Sequence, residues 1–148
     1  MSHQERSTLA NLISSLLVNL WFLNRIWTMF HDGTSTAPDG LQIWAQTMLW
    51  VVPVAIVSSI GLTILTTIAY RLITGDNTRA ITDERDRQFE FYGMGATMAL
   101  AVIGFLSSMV LLALGYSGFI AFTVIYLSFF LGDIAGSLVK LGLYRAGL

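Results

Sequence analysis

Cysteine is absent from this 148-residue chain, histidine and proline each occur twice, and charged side chains make up only 11% of the total. Each scarcity removes a class of chemistry. Without cysteine there is no disulfide, no thiolate nucleophile, no iron–sulfur cluster and no Cys-ligated zinc. His3 and His31 both fall outside the long apolar stretches, so paired-histidine haem ligation inside a bilayer is excluded. An average soluble domain carries about 25% charged residues. This chain has less than half that share and is 55% apolar, too little polar material to cover a water-facing surface. A bilayer requires no such cover. Net charge is −1, which leaves no basic footprint for nucleic acid. There is no Gly-rich phosphate loop, no metal-spaced His/Asp/Glu set and no Ser-His-Asp grouping. The chain reads as a membrane protein that is not an enzyme and carries no cofactor.

What the sequence does contain is apolar length. A membrane-spanning helix needs about 20 mostly apolar residues, and residues 9–30, 44–70, 91–114 and 117–142 each supply them. The first stretch is too long for a signal-peptide core and is read as a retained span. Residues 1–148 then form a single integral membrane domain: an all-α bundle of four transmembrane helices in two hairpins. Basic residues set the orientation. Arg6, Arg71, Arg79, Arg85, Arg87, Lys140 and Arg145 flank one set of helix ends, while residues 31–40 and 115–118 contain no Lys or Arg. Both termini are therefore expected in the cytoplasm, and the protein in the inner (cytoplasmic) membrane. Glu5-Arg6 and Glu84-Arg85 open the two halves, and Tyr70-Arg71 and Tyr144-Arg145 close them. This faint repeat would relate the hairpins about an axis normal to the membrane.

Helical spacing gives each span one small or polar stripe. Helix 4 carries Tyr126, Asp133, Ser137, Lys140 and Tyr144, and helix 2 carries Ser59, Thr63, Thr66 and Tyr70. Helix 3 carries Gly93, Thr97, Gly104 and Ser108, and helix 1 carries Asn11, Ser14, Ser15, Asn19 and Arg25. The simplest packing turns all four stripes inward. Counted from the cytoplasmic ends, Asn19, Thr63, Thr97 and Asp133 then share one depth and form a polar layer.

Asp133 is the most informative residue. A carboxylate at mid-span costs about 2.5–3.5 kcal/mol even on insertion scales, so it is retained for a reason. With Asn19, Thr63, Thr97 and Tyr126 it is the candidate ion or proton site. The structural alternative is a carboxylate bonded to Thr97, Asn19 or Tyr126, or paired with Lys140. Arg25 reads as an anchor to the outer headgroups, with Asp32 and Asp39 as counter-ions. Asp83, Glu84, Arg85, Asp86, Arg87 and Glu90 form the densest charge cluster. It reads as a self-paired helix cap (Asp83–Arg87, Glu84–Arg87, Arg87–Glu90) or as a contact for a partner or lipid headgroups. Gly132 and Gly136 make a small-residue ridge suited to close packing, within the bundle or between copies. Pro53 predicts a kink in helix 2 that frees a carbonyl near Leu49.

The octet Asp83-Glu-Arg-Asp-Arg-Gln-Phe-Glu90, followed by a hydrophobic hairpin that ends Lys140-Leu-Gly-Leu-Tyr-Arg-Ala-Gly147, resembles a group of small bacterial and archaeal membrane proteins of unassigned function. They share a D-E-R-D-R-x-x-E motif before a helical pair, an acid late in the final helix and a Tyr/Arg/Gly-type terminus. The resemblance covers residues 83–147 and implies a fold but no activity. Two functions are left, of which the sequence favours the first. One is an accessory or scaffold subunit, in contact with lipids and packed as a homo-oligomer or in a larger membrane complex. The other is a small proton- or cation-coupled transporter or channel that uses Asp133.

Overall fold

The computed structural model describes residues 3–74 and 84–146. They form four helices: α1 His3–His31, α2 Gly40–Thr74, α3 Glu84–Ala113 and α4 Gly118–Ala146. Each is long and apolar enough to cross a membrane. The chain is thus an all-α, four-helix membrane protein, as its apolar stretches require. The helices outrun those stretches: 29 to 35 residues span roughly 44–53 Å, beyond the ~30 Å of hydrocarbon and into the headgroups. α2 runs on through Pro53, which lies on its exposed side. The backbone partner lost there is tolerated in a membrane helix.

Local chemistry sets both hairpin turns. After α1, the Asp32 carboxylate accepts the Thr34 amide at 3.0 Å. Gly33 adopts φ 81° and Thr34–Thr36 make one 3₁₀ turn. Hydrogen bonding to Thr34 holds the Asp32 carboxyl below its ordinary range, with a smaller contribution from Arg25. After α3, the Tyr116 and Gly115 amides bond back to the Leu111 and Leu112 carbonyls, with Gly115 at φ 86°. This is a Schellman ending, which needs a left-handed residue at that position. Ser117 then begins α4, its carbonyl accepting the Ile120 and Ala121 amides.

α4 is the central helix. α3 packs along one side of it and α1 along another, while α2 lies mainly against α1 and touches α4 over a short stretch. Contacts run from the Ser15–Asp133 level to Phe30–Phe119, so α1 and α4 are antiparallel and their outer ends meet. The helices therefore form an open array in the order α2–α1–α4–α3, and the four stripes do not converge on one interior. A two-fold relation between hairpins would require α2–α3 packing to match α1–α4, and α3 makes its packing contacts on α4. The arrangement does not carry the symmetry that the Glu-Arg and Tyr-Arg steps suggest.

Two seams of different character hold the array. Between α3 and α4 the seam is made of small residues. A Cβ on Gly132 would lie 2.9 Å from the Thr97 carbonyl oxygen, and one on Gly93 would lie 2.9 Å from that of Gly136. A Cβ on Gly104 would strike Ser128, and Ser108 is fully buried, donating to the Ala121 carbonyl at 2.8 Å. Backbones this close gain dispersion that larger side chains would prevent. The other seam joins α1, α2 and α4 and is aromatic. Phe22 meets Tyr126 edge-on at 4.5 Å and Trp44 at 6.0 Å, and Val18, Ile26, Met29, Val51 and Phe119 fill in around them. The remaining faces of α2 and α3 are exposed Leu, Ile, Val, Phe and Met, suited to lipid.

Candidate intramembrane site

Asp133 lies near the middle of α4, exposed toward the α1 side. One turn apart on α1, Ser15 and Asn19 face it. Ser15 donates its hydroxyl proton to Asp133 Oδ2. Asn19 Nδ2 donates to the Ser15 carbonyl at 2.7 Å and to Ser15 Oγ at 3.1 Å. Tyr126, two turns before Asp133 on the same face, donates its hydroxyl proton to Asn19 Oδ1. The donors thus run in one direction: Tyr126 to Asn19, Asn19 to Ser15, Ser15 to the carboxylate. An ionised carboxylate only accepts hydrogen bonds, so every dipole in this chain is oriented to stabilise the charge at Asp133.

Asp133, Asn19 and Tyr126 form the polar end of a cavity of about 360 Å³. Its walls are Trp44, Phe122, Phe129 and Phe130, with Met48 and Ile125 completing them. Phe129 and Phe130 precede Asp133 by four and three residues, one helical turn, so they share its face. Phe122, Phe129 and Asp133 are all exposed, so the cavity opens at mid-helix depth. At that depth in a spanning helix the surroundings are hydrocarbon.

Of the residues expected at the ion site, Asn19 and Tyr126 line the cavity with Asp133 and are linked to it through Ser15, and Thr63 and Thr97 are not. Thr97 belongs to the opposite seam, where its hydroxyl donates to the Gly132 carbonyl at 3.0 Å and the Gly93 carbonyl at 3.2 Å. Thr63 lies on α2 outside the cavity lining, and its carbonyl accepts the Thr67 hydroxyl at 2.7 Å. Thr97 shares the depth of Asp133 but faces the far side of α4, toward α3. Thr63 is not at that depth: Ser59, one turn before it, donates to Asn11, one turn before Ser15, so Thr63 lies about two turns from the level of Asp133. Lys140 is not the partner of Asp133 either. Its Nζ bridges both carboxylate oxygens of Glu90 on α3 at 3.2 Å. Among the described residues, no Lys, Arg or His pairs with Asp133.

The charge cluster at the start of α3 turns out to be an inter-helix clasp. Glu90 takes Lys140, and Phe89 is buried edge-on against Tyr144 at 5.0 Å. The Arg85 guanidinium lies 5.7 Å over the Phe89 ring. Glu84, Arg85 and Arg87 are exposed, while Asp83 and the helix cap expected of it lie outside the described residues. Gly132 and Gly136 are both covered by α3 of the same chain.

Ser15 belongs to the site as well; in the sequence it is one of several small polar residues on the helix 1 stripe, four residues before Asn19, and nothing in its spacing singles it out. The aromatic walls carry no signal of their own, since in the sequence they look like any lipid-facing Phe. Among the described residues no group of three or more His, Asp or Glu is placed to hold a metal. No family model, curated protein or solved structure matches the chain.

Proposed function

We propose that this chain is a small, non-enzymatic membrane protein that exchanges a proton or a cation at Asp133, as a coupled carrier. One observation carries the reading: a carboxylate with no countercharge among the described residues is held by oriented donors on the wall of an open mid-membrane cavity. An acid with a purely structural role is expected to be enclosed and paired, because an unpaired charge in hydrocarbon is costly. The two features that favoured a scaffold are largely engaged within the chain. The Gly132/Gly136 ridge seats α3, and Glu90 and Phe89 of the charge cluster clasp α4.

The protein sits in the inner membrane with both termini cytoplasmic. Support comes from Arg71, Arg85, Arg87, Lys140 and Arg145 at one set of helix ends, against the Lys- and Arg-free turns at the other. A second reading, an accessory subunit docking a partner of the membrane complex through exposed Arg85 and Arg87, is favoured by the outward face of α3's first turns.

The test is an acid jump on proteoliposomes loaded with a pH-sensitive dye. The reading expects the wild type to acidify the lumen faster than protein-free vesicles, and Asp133→Asn to match those vesicles. Equal rates for wild type and empty vesicles contradict it.

A further inference from the structure

The cavity's walls indicate what Asp133 meets besides a proton. Phe122, Phe129, Phe130 and Trp44 present ring surface, and the one carboxyl group at the polar end is Asp133. A ring face is negative and attracts cations, more strongly where water is excluded. An anion would face both the rings and the carboxylate, and a neutral guest would leave the charge of Asp133 unmatched. The opening lies at mid-membrane depth, so a guest enters from the bilayer and carries an apolar body. The volume, about 360 Å³, is at the lower end of the range of small-molecule sites.

We infer that the cavity binds a lipophilic organic cation, its charged group against Asp133 and its apolar body along Phe122 and Phe129. This rests on the carrier reading and names the substrate class of the same site. Proton and cation then compete for one carboxylate. The other titratable group lining the cavity is Tyr126, on α4 itself. From α1 and α2 the groups facing Asp133 are Ser15, Asn19, Trp44 and Met48, none of which titrates in the ordinary range. α3 packs on the far side of α4 and contributes Thr97 to that seam.

The experiment is calorimetric titration of the full chain in lipid nanodiscs with 4-phenylbutyltrimethylammonium, and with 4-phenylbutanesulfonate as the probe of equal body and opposite charge. Saturable binding of the ammonium at one per chain is expected, with affinity falling as pH is lowered and at least about tenfold weaker in Asp133→Asn. Phe129→Leu, which alters a wall residue on an exposed face, is expected to weaken it several-fold. This arm stands even if Asp133→Asn does not fold. Binding of the sulfonate as strong as that of the ammonium overturns the inference, as does undiminished ammonium binding in both variants. The two proposals fail separately. Proton flux without ammonium binding removes the cation and keeps the carrier. Ammonium binding without proton flux keeps the cation site and removes the carrier.

Discussion

Ser15 is the residue on which the state of Asp133 turns, since its hydroxyl is the donor the carboxylate receives. A hydrogen bond to a charged group contributes about 1.5–3 kcal/mol when shielded from water. Ser15→Ala should therefore lower stability by roughly 1–2 kcal/mol, while Ser15→Thr, which keeps the hydroxyl, should restore most of it. Reversible unfolding in mixed detergent micelles measures both, and an unchanged Ser15→Ala would mean the contact carries nothing. Asp133 itself was legible in the sequence because a mid-span charge stands out by its cost. Asn19 and Tyr126 were legible through helical spacing and depth. Thr97 shares that depth and ends on the opposite seam, because depth along an axis says nothing about which helix is a neighbour. Thr63 lies about two turns from it, because the register of α2 against α1 is set by contacts such as Ser59–Asn11 and not by counting from a helix end. Lys140 shows the same limit. Its separation from Asp133 along α4 allowed a pair, and the arrival of Glu90 on α3 decided against it.

At the scale of the helices, the α3–α4 seam depends on the lack of side chains at four positions, Gly93, Gly104, Gly132 and Gly136. Gly136→Ala places a methyl against Thr97 Oγ1 and 2.7 Å from the Gly93 carbonyl oxygen, where the approaching atoms are partly backbone. Overpacking of this kind costs about 1–3 kcal/mol. Gly61 on α2 has nothing within 4 Å of its would-be Cβ, so Gly61→Ala should be neutral or stabilising by up to about 1 kcal/mol, from helix propensity alone. Thermal unfolding in detergent separates the two, and equal melting temperatures would contradict the close seam. The Gly132-x-x-x-Gly136 spacing pointed to close packing without saying against what. Three neighbouring helices were possible partners, and only the tertiary fold chooses among them. The turns were more legible, since Gly115 and Ser117 are a left-handed stop and a helix start in immediate succession. The Glu90–Lys140 clasp is partly exposed and contributes under about 1 kcal/mol, so its loss should leave the seam formed.

Over the whole molecule, four spans and an antiparallel α1–α4 contact put the start of α1, the end of α2, the start of α3 and the end of α4 on one side. The absence of cysteine makes this directly measurable, because a single introduced cysteine is the only thiol present. In intact cells, Thr36→Cys in the α1–α2 turn should react with a membrane-impermeant maleimide. Arg145→Cys should react only after the membrane is opened. The reverse pattern would invert the proposed orientation. Span number was legible because hydrocarbon thickness sets a length that a chain meets or fails to meet. The open order of the helices was not, since four inward stripes and two back-to-back seams make equally good use of the same small and polar residues.

The central claim is that the Asp133 carboxyl is open to the membrane interior and gains and loses a proton there. A hydrophobic carbodiimide tests it most directly, because such reagents partition into the bilayer and react with protonated carboxyl groups. Peptide mass spectrometry of the folded protein in bilayers should find an adduct at Asp133 whose yield rises as pH falls, and which 4-phenylbutyltrimethylammonium suppresses. A carboxyl that stays unmodified at every pH at which the protein remains folded would contradict the account.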